Sequence, residues 1–325
     1  METLLEHVYQ IRLPLPFRLD HVNSYLIQDE HGWSVIDPGL DTPTTKNVWL
    51  RTLRHFNLQP SDIKRIFITH FHPDHYGFAG TMQRWTHAEV IASPRTFALA
   101  ERYFSNEQAG RDFHYYRKCG MPEQLAEEVT VLDSQLLEQI SPIEGNRVNL
   151  QEHETVMLGG KPFKIIVGGG HAAGSTGFWN EKERILIGGD MLLQKITPNI
   201  TYSYEDDEED NPLQQYFDTL NALQRRNIQT VLPGHGPVFH PDPGFIETVI
   251  SHHEERLDHI LGIVQDDGKD ALSVYNICLR LFRKVFNTDS ARFALGETAA
   301  HLRFLEKQKL LHLHESGGVY YVVAP

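Results

Sequence analysis

From residue 21 onward the chain alternates short apolar runs with Gly, Pro or Asp: Asn23-Ser24-Tyr25-Leu26-Ile27, then Trp33-Ser34-Val35-Ile36 closed by Asp37-Pro38-Gly39. Apolar runs of this length between turn formers predict strands. A helical stretch over about 44–56 follows, and then Ile63-Lys64-Arg65-Ile66-Phe67-Ile68-Thr69 reads as a strand that runs directly into His70. Residues 95–145 change period. They carry helical spacing, many charges and the aromatics Phe97, Tyr103, Phe104, Phe113, Tyr115 and Tyr116, which predicts a helical insertion or lid whose rings serve mainly in packing.

Strand signals return over 155–158, 163–167 and 184–190, and a helix over 212–226 leads to a strand over 228–232 and to Pro233-Gly234-His235-Gly236. The acidic run Tyr204-Glu205-Asp206-Asp207-Glu208-Glu209-Asp210 reads as a solvated loop, with a flap beside the site as the alternative. Beyond residue 250, helices are expected through about 265 and over 272–286 and 295–307. Strands are expected over 310–313 and 319–323, joined by Glu315-Ser316-Gly317-Gly318. Helices followed by a short hairpin predict a winged-helix-like module. The expected organisation is a domain over 1–250, containing the 95–145 insertion, and a smaller one over 251–325.

Charge narrows the partners. Thirty Lys and Arg against 43 Asp and Glu give a net charge of -13, a field that repels polyanions. The last 60 residues lack an Arg/Lys stripe, so a small-molecule substrate is expected ahead of nucleic acid. A homodimer is compatible with the sequence. No stretch approaches the roughly 18 apolar residues of a membrane span. Residues 1–17 are interrupted by Glu2, Glu6, Arg12, Pro14 and Pro16, unlike a secretion signal. Cys119 and Cys278 match no metal-finger or redox spacing and suit a reducing cytoplasm, with no membrane partner.

The chemistry concentrates at strand ends. In Thr69-His70-Phe71-His72-Pro73-Asp74-His75, His70 and His72 stand two apart where a strand stops and project to one side; the turn at Pro73 aims Asp74 and His75 at a neighbouring point. His171, Asp190 and His235 each follow an apolar run and each sits among glycines that allow tight backbone turns. Imidazole and carboxylate donors without cysteine suit zinc, with iron or manganese as alternatives. Asp37, Thr69 and Ser175 are candidates to fix imidazole tautomers or loop geometry. His21 and Tyr25 could line the pocket or belong to the core. His252, His253 and His259 on a helix, and His312 and His314 on a strand, are expected at the surface.

The set His70-x-His72-x-Asp74-His75, His171, Asp190 and His235, with Val35-Ile36-Asp37-Pro38-Gly39 and Pro233-Gly234-His235-Gly236, resembles the ligand pattern of the metallo-β-lactamase fold superfamily over residues 20–240. The resemblance implies an α/β fold, a four-layer αββα sandwich with the site at the strand edges. It also implies two metals: one held by His70, His72 and His171, the other by Asp74, His75 and His235, with Asp190 bridging. An aspartate at the bridging position favours the glyoxalase II-like branch over the true β-lactamases, which place cysteine there. Two departures stand out. His171-Ala172-Ala173-Gly174-Ser175 replaces the common His-Thr-Pro-Gly-Ser, and residues 95–145 match nothing in the short glyoxalase II core, so glutathione is not implied.

The ligands imply hydrolysis by metal-activated water without a protein nucleophile, Asp74 orienting that water or carrying its proton. A thioester, ester or lactone is the expected substrate. The tail around Glu297-Thr298-Ala299-Ala300-His301-Leu302 resembles two-domain β-lactamase-like hydrolases, some of which cut RNA, which makes a phosphodiesterase or ribonuclease the second reading. A mononuclear-iron persulfide dioxygenase using only the first ligand group is the third. A non-enzymatic binding protein is the fourth, disfavoured by the intact ligand set.

Overall fold

The computed structural model describes residues 2–16, 19–105, 108–202, 210–266, 271–282 and 288–324. Most of the acidic run, 204–209, lies outside them, as does 283–286 of the helix expected over 272–286.

Two sheets form the frame that carries the strand-end histidines. The first has seven strands in sequential order: β1 (Glu2–Leu5), β2 (Val8–Pro14), β3 (His21–Asp29), β4 (Gly32–Ile36), β5 (Ile63–Phe67), β6 (Glu89–Ala92) and β7 (Arg147–Asn149). The early pairs are antiparallel, and β4 to β7 pair in parallel. The second sheet combines β8 (Thr155–Leu158), β9 (Lys161–Gly168), β10 (Ser175–Asn180), β11 (Ile185–Gly189) and β12 (Thr230–Pro233) in the reverse order, with β11 and β12 parallel. Strand side chains alternate between faces, and both faces of the first sheet are buried. Leu26, Val35, Ile66 and Val90 point to one side; their neighbours Ile27, Ile36, Phe67 and Ile91 point to the other.

The first side packs on helices α1 (Pro43–His55), α2 (Pro73–Tyr76), α3 (Ala79–Thr86) and α4 (Pro94–Tyr103) through Trp49, Leu53, Tyr76, Met82 and Phe97. Helix α1 starts where the sequence provides a cap: Thr42 Oγ1 accepts from Thr45 N at 3.1 Å, and Pro43 occupies the first turn. The other side meets Leu158, Phe163, Ile165, Phe178, Ile187 and Leu232 of the second sheet, with Phe67 and Phe178 edge to face at 5.4 Å. Each such buried side chain contributes about 1.5–3 kcal/mol, and together they hold the strand ends in register.

The chain divides into two compact units, Met1–Phe104 with Leu136–Pro198 and Ala222–Asp242, and Ser105–Gln135 with Asn199–Asn221 and Pro243–Pro325. The second unit draws its segments from both sides of residue 250. Helix α4 joins the first core, while α5 (Gln108–Lys118) and most of α6 (Glu123–Leu137) form one unit with the C-terminal segment. The remaining elements are α7 (Pro212–Gln224), α8 (Phe245–Asp266), β13 (Leu272–Ser273), α9 (Val274–Leu281), α10 (Thr288–Lys307), β14 (His312–Ser316) and β15 (Val319–Val323), with strand order β13-β15-β14.

Backbone and side-chain contacts hold the second unit together. Tyr275 N donates to Cys119 O at 2.9 Å, Thr288 Oγ1 to Glu128 at 3.1 Å, and Arg292 pairs with Asp133. Periodicity reveals that a helix has an apolar face, but not which distant segment covers it. Among the described residues no helix is long and apolar enough to cross a membrane.

Candidate metal centre

Parallel pairing delivers the site residues side by side. Because Ile36 pairs with Phe67, the ends of β4 and β5 place Asp37 beside Thr69. Because Gly189 pairs with Pro233, the ends of β11 and β12 place Asp190 beside the His235 loop. The β9–β10 connection brings His171, and α2, opened by Pro73, brings Asp74 and His75. All seven histidines and aspartates expected from the sequence come together. His70, His72 and His171 form one group of ligating atoms within 4.8 Å of one another, and Asp74, His75 and His235 form another. Asp190 reaches both: its Oδ2 lies 3.4 Å from His171 Nε2 and 3.4 Å from His235 Nε2, and its Oδ1 lies 3.6 Å from His75 Nε2.

Asp37 organises the ring orientations. Its Oδ1 accepts from Thr69 N at 2.8 Å; its Oδ2 accepts from Thr69 Oγ1 at 2.7 Å and from His75 Nδ1 at 2.8 Å. The Thr69 hydroxyl has one proton, and it is donated to the carboxylate. The 3.0 Å contact between His70 Nδ1 and Thr69 Oγ1 therefore has the ring as donor, which leaves His70 Nε2 with its lone pair free to bind. His235 Nδ1 donates to the His21 carbonyl at 2.8 Å with the same result. Fixing one ring nitrogen so that the other presents a lone pair is what a metal-binding imidazole requires. Asp37 holds a left-handed backbone, φ 55°, inside a fully buried position, a strained geometry that its three donors maintain.

Neighbouring segments secure the loops. Ser175 Oγ donates to Ala172 O at 2.7 Å, and Thr176 N to Thr69 O at 2.7 Å, so Ser175 shapes the His171 turn rather than touching an imidazole. Asn23, which sequence reasoning missed, is fully buried at the start of β3. Its Nδ2 donates to Pro233 O at 2.9 Å and Gly236 O at 2.8 Å, and Tyr25 Oη donates to Pro233 O at 2.7 Å. Together they clamp the loop carrying His235. Tyr25 is thus a buried positioning residue, and His21 contributes its carbonyl. The signal was available: a polar residue inside an apolar strand with both faces buried needs partners.

The residues fit a metal. Among the described residues, His75 Nε2 and Asp190 Oδ1 are buried atoms with no hydrogen-bond partner, facing each other across the cluster. Burial works against charge on His75, but the carboxylates of Asp190, Asp37 and Asp74 outweigh it and raise the ring above its ordinary pKa. His235 is raised likewise, burial being outweighed by Asp190 and then Asp74. Burial, reinforced by the neighbouring imidazoles, holds His70 and His72 low and therefore neutral. A cation entering this carboxylate-rich group takes the place of those protons.

Gly234 is the tightest point. A Cβ there would collide with Asp190 Oδ1 and lie 2.7 Å from His75 Cε1. Gly234→Ala is expected to lower kcat/KM about a hundredfold by displacing two ligands, with far-UV circular dichroism unchanged; activity within twofold of the parent would show that the loop has slack.

Of the remaining histidines, His252, His259, His312 and His314 are exposed as expected. His253 is not: it is completely buried, because the apolar stripe of α8 (Ile246, Val249, Leu257, Ile260) passes through its position.

Comparisons with known proteins bear on the fold and the family. Residues 17–235 match the family described as "Metallo-beta-lactamase superfamily", and residues 257–322 match "Metallo-beta-lactamase-like, C-terminal domain". The chain is 26% identical over 322 residues to the Bacillus subtilis (strain 168) protein named "Probable metallo-hydrolase YqjP", covering 97% of each. It is similar to a metallo-beta-lactamase family protein from Thermus thermophilus, with 27% identity and a TM-score of 0.86 over 99% of this chain and 100% of that one. A beta-lactamase domain protein from Burkholderia ambifaria shares the fold, with a TM-score of 0.88 at 24% identity over 99% and 93% of the two chains.

Proposed function

Because the chain belongs to the metallo-β-lactamase superfamily, we propose that its seven converging side chains hold two divalent metal ions, zinc foremost, and that it hydrolyses a thioester, ester or lactone of a small molecule. The α/β fold is that of the superfamily, and the chain is a metallo-hydrolase. The observation that supports two metals is Asp190: one carboxylate reaches His171 of the first group and His75 and His235 of the second. When bound, the metal supplies Lewis acidity, polarising the oxygen under attack and lowering the pKa of water.

The protein's own contribution is orientation and proton handling. Asp37 and Thr69 hold His75 and His70 with their binding nitrogens inward. Asp74 is the most accessible carboxylate of the cluster, its side chain 20% exposed against 7% for Asp190. It lies 3.2 Å from His235 Nε2, on the open side, where it can orient a water and accept its proton. The second unit's helices and three-stranded sheet support the winged-helix-like reading of that segment, and its free buried thiols, Cys119 and Cys278, support a reducing cytoplasm.

Elemental analysis combined with a substrate panel of S-acyl glutathione, lactone, aryl ester, bis-p-nitrophenyl phosphate and RNA tests this reading. Two zinc ions at the seven-residue centre and turnover of an acyl substrate are expected. Turnover of the phosphodiester or RNA alone would support the nuclease reading, and one iron with oxygen uptake would support the dioxygenase. Asp74→Ala is expected to cut kcat at least about a hundredfold, the size of a lost acid–base group; intact turnover would remove Asp74 from the chemistry.

A further inference from the structure

The second unit holds buried polar side chains that the proposed hydrolysis does not use. Glu297 and His301 stand four residues apart on α10 and share a face. His253 comes from α8. All three are buried, both imidazoles completely, and one candidate ligand atom from each lies within 4.8 Å of the others.

Hydrogen bonds restrict the protonation of these rings. His301 Nδ1 lies 2.7 Å from the backbone carbonyl of Glu297, which can only accept, so the ring donates there and His301 Nε2 keeps a lone pair. That nitrogen is 3.1 Å from His253 Nδ1, the separation also found between His70 Nε2 and His72 Nδ1. If His253 carries its proton on Nδ1, it bonds to His301 but leaves Nε2 as a buried acceptor with no hydrogen-bond partner. If it carries the proton on Nε2, that N–H lies in a pocket edged by the near-perpendicular rings of Tyr216 and Phe217, centred 5.5 and 6.2 Å from the imidazole. Two lone pairs then face each other beside the Glu297 carboxylate, an arrangement that a shared cation completes. A proton is a poor occupant: burial, with Arg256 adding to it, pushes His301 down to about 3. A transition metal instead binds neutral imidazole by coordination.

We propose that His253, His301 and Glu297 form a site for a divalent transition metal of the zinc class, separate from the seven-residue centre. Arg256 Nη1 donates to Glu297 Oε1 and Asn199 Nδ2 to Oε2 at 3.0 Å, which orients the carboxylate while leaving it further lone pairs. Arg256 also lies 3.0 Å from His252 Nε2. Since its guanidinium already balances Glu297, this site binds more weakly than the carboxylate-rich one, and removing the guanidinium strengthens it.

The test uses the full chain carrying His72→Ala, Asp190→Ala and His235→Ala, which remove ligands from both groups of the seven-residue centre, titrated with Zn2+ and, for its visible absorption, Co2+. One equivalent per chain, lost on adding His301→Gln, is expected. No bound equivalent, or one that survives His301→Gln, would overturn the proposal. Should His301→Gln fail to fold, Arg256→Gln on the same background decides: tighter binding, at least about tenfold by the removal of a like charge, supports the site, and unchanged or weaker binding refutes it.

Discussion

Asp190→Ala is expected to reduce kcat/KM at least about a thousandfold and to lower the zinc held at the seven-residue centre from two ions to one or none. Its carboxylate lies within 3.6 Å of histidines from both ligand groups. Truncation removes an anionic donor that stands beside the histidines of both groups, so a cation at either group loses compensating charge. Transition-state stabilisation worth several kcal/mol then disappears, and each 1.4 kcal/mol is about tenfold in rate. Elemental analysis with steady-state kinetics reads both effects. A variant that keeps two metals and falls less than tenfold would show that Asp190 does not bridge.

Asp37→Ala has the largest expected effect on the scaffold, about 3 kcal/mol or more of stability lost. It leaves Thr69 N, the Thr69 hydroxyl and His75 Nδ1 buried without their acceptor, each orphan costing about 1–3 kcal/mol. The His75 ring is freed to turn, and metal affinity should fall by about 10- to 100-fold, as for other orienting partners. Asp37→Asn, which tolerates the left-handed backbone better than Ala, should lose metal affinity with the smaller stability loss. Denaturant unfolding and competitive zinc titration measure the two separately. An Ala variant within 1 kcal/mol of the parent by unfolding would mean that the Asp37 network is incidental.

Much of this site was legible because the ligands sit where strands stop. Runs such as 63–69 and 184–190 end at turn formers, and a residue just beyond a strand end has little reason to be histidine or aspartate unless the edge binds something. The tautomer roles of Asp37 and Thr69 follow from the parallel pairing of β4 and β5, which apolar runs alone do not specify. Asn23 escaped notice because the polar pair Asn23-Ser24 near the start of an apolar run resembles an exposed strand edge, although both residues are fully buried. The partners of residues 105–135 are hidden from the sequence for another reason. Helices α5 and α6 carry ordinary amphipathic patterns, and their partners are C-terminal helices and strands about 160 to 200 residues away in sequence, met through Cys119 with Tyr275, Lys118 with Tyr320 and Asp133 with Arg292. His253 was misplaced because histidine spacing on a helix does not say which face is covered, whereas one position of a helical turn can face inward regardless of its neighbours.

Anomalous diffraction from zinc-saturated crystals of the full chain, recorded on both sides of the zinc edge, tests the dinuclear centre most directly. Two peaks are predicted around Asp190, one among His70, His72 and His171 and one among Asp74, His75 and His235. A single peak confined to the first group, or none at these residues, would contradict it.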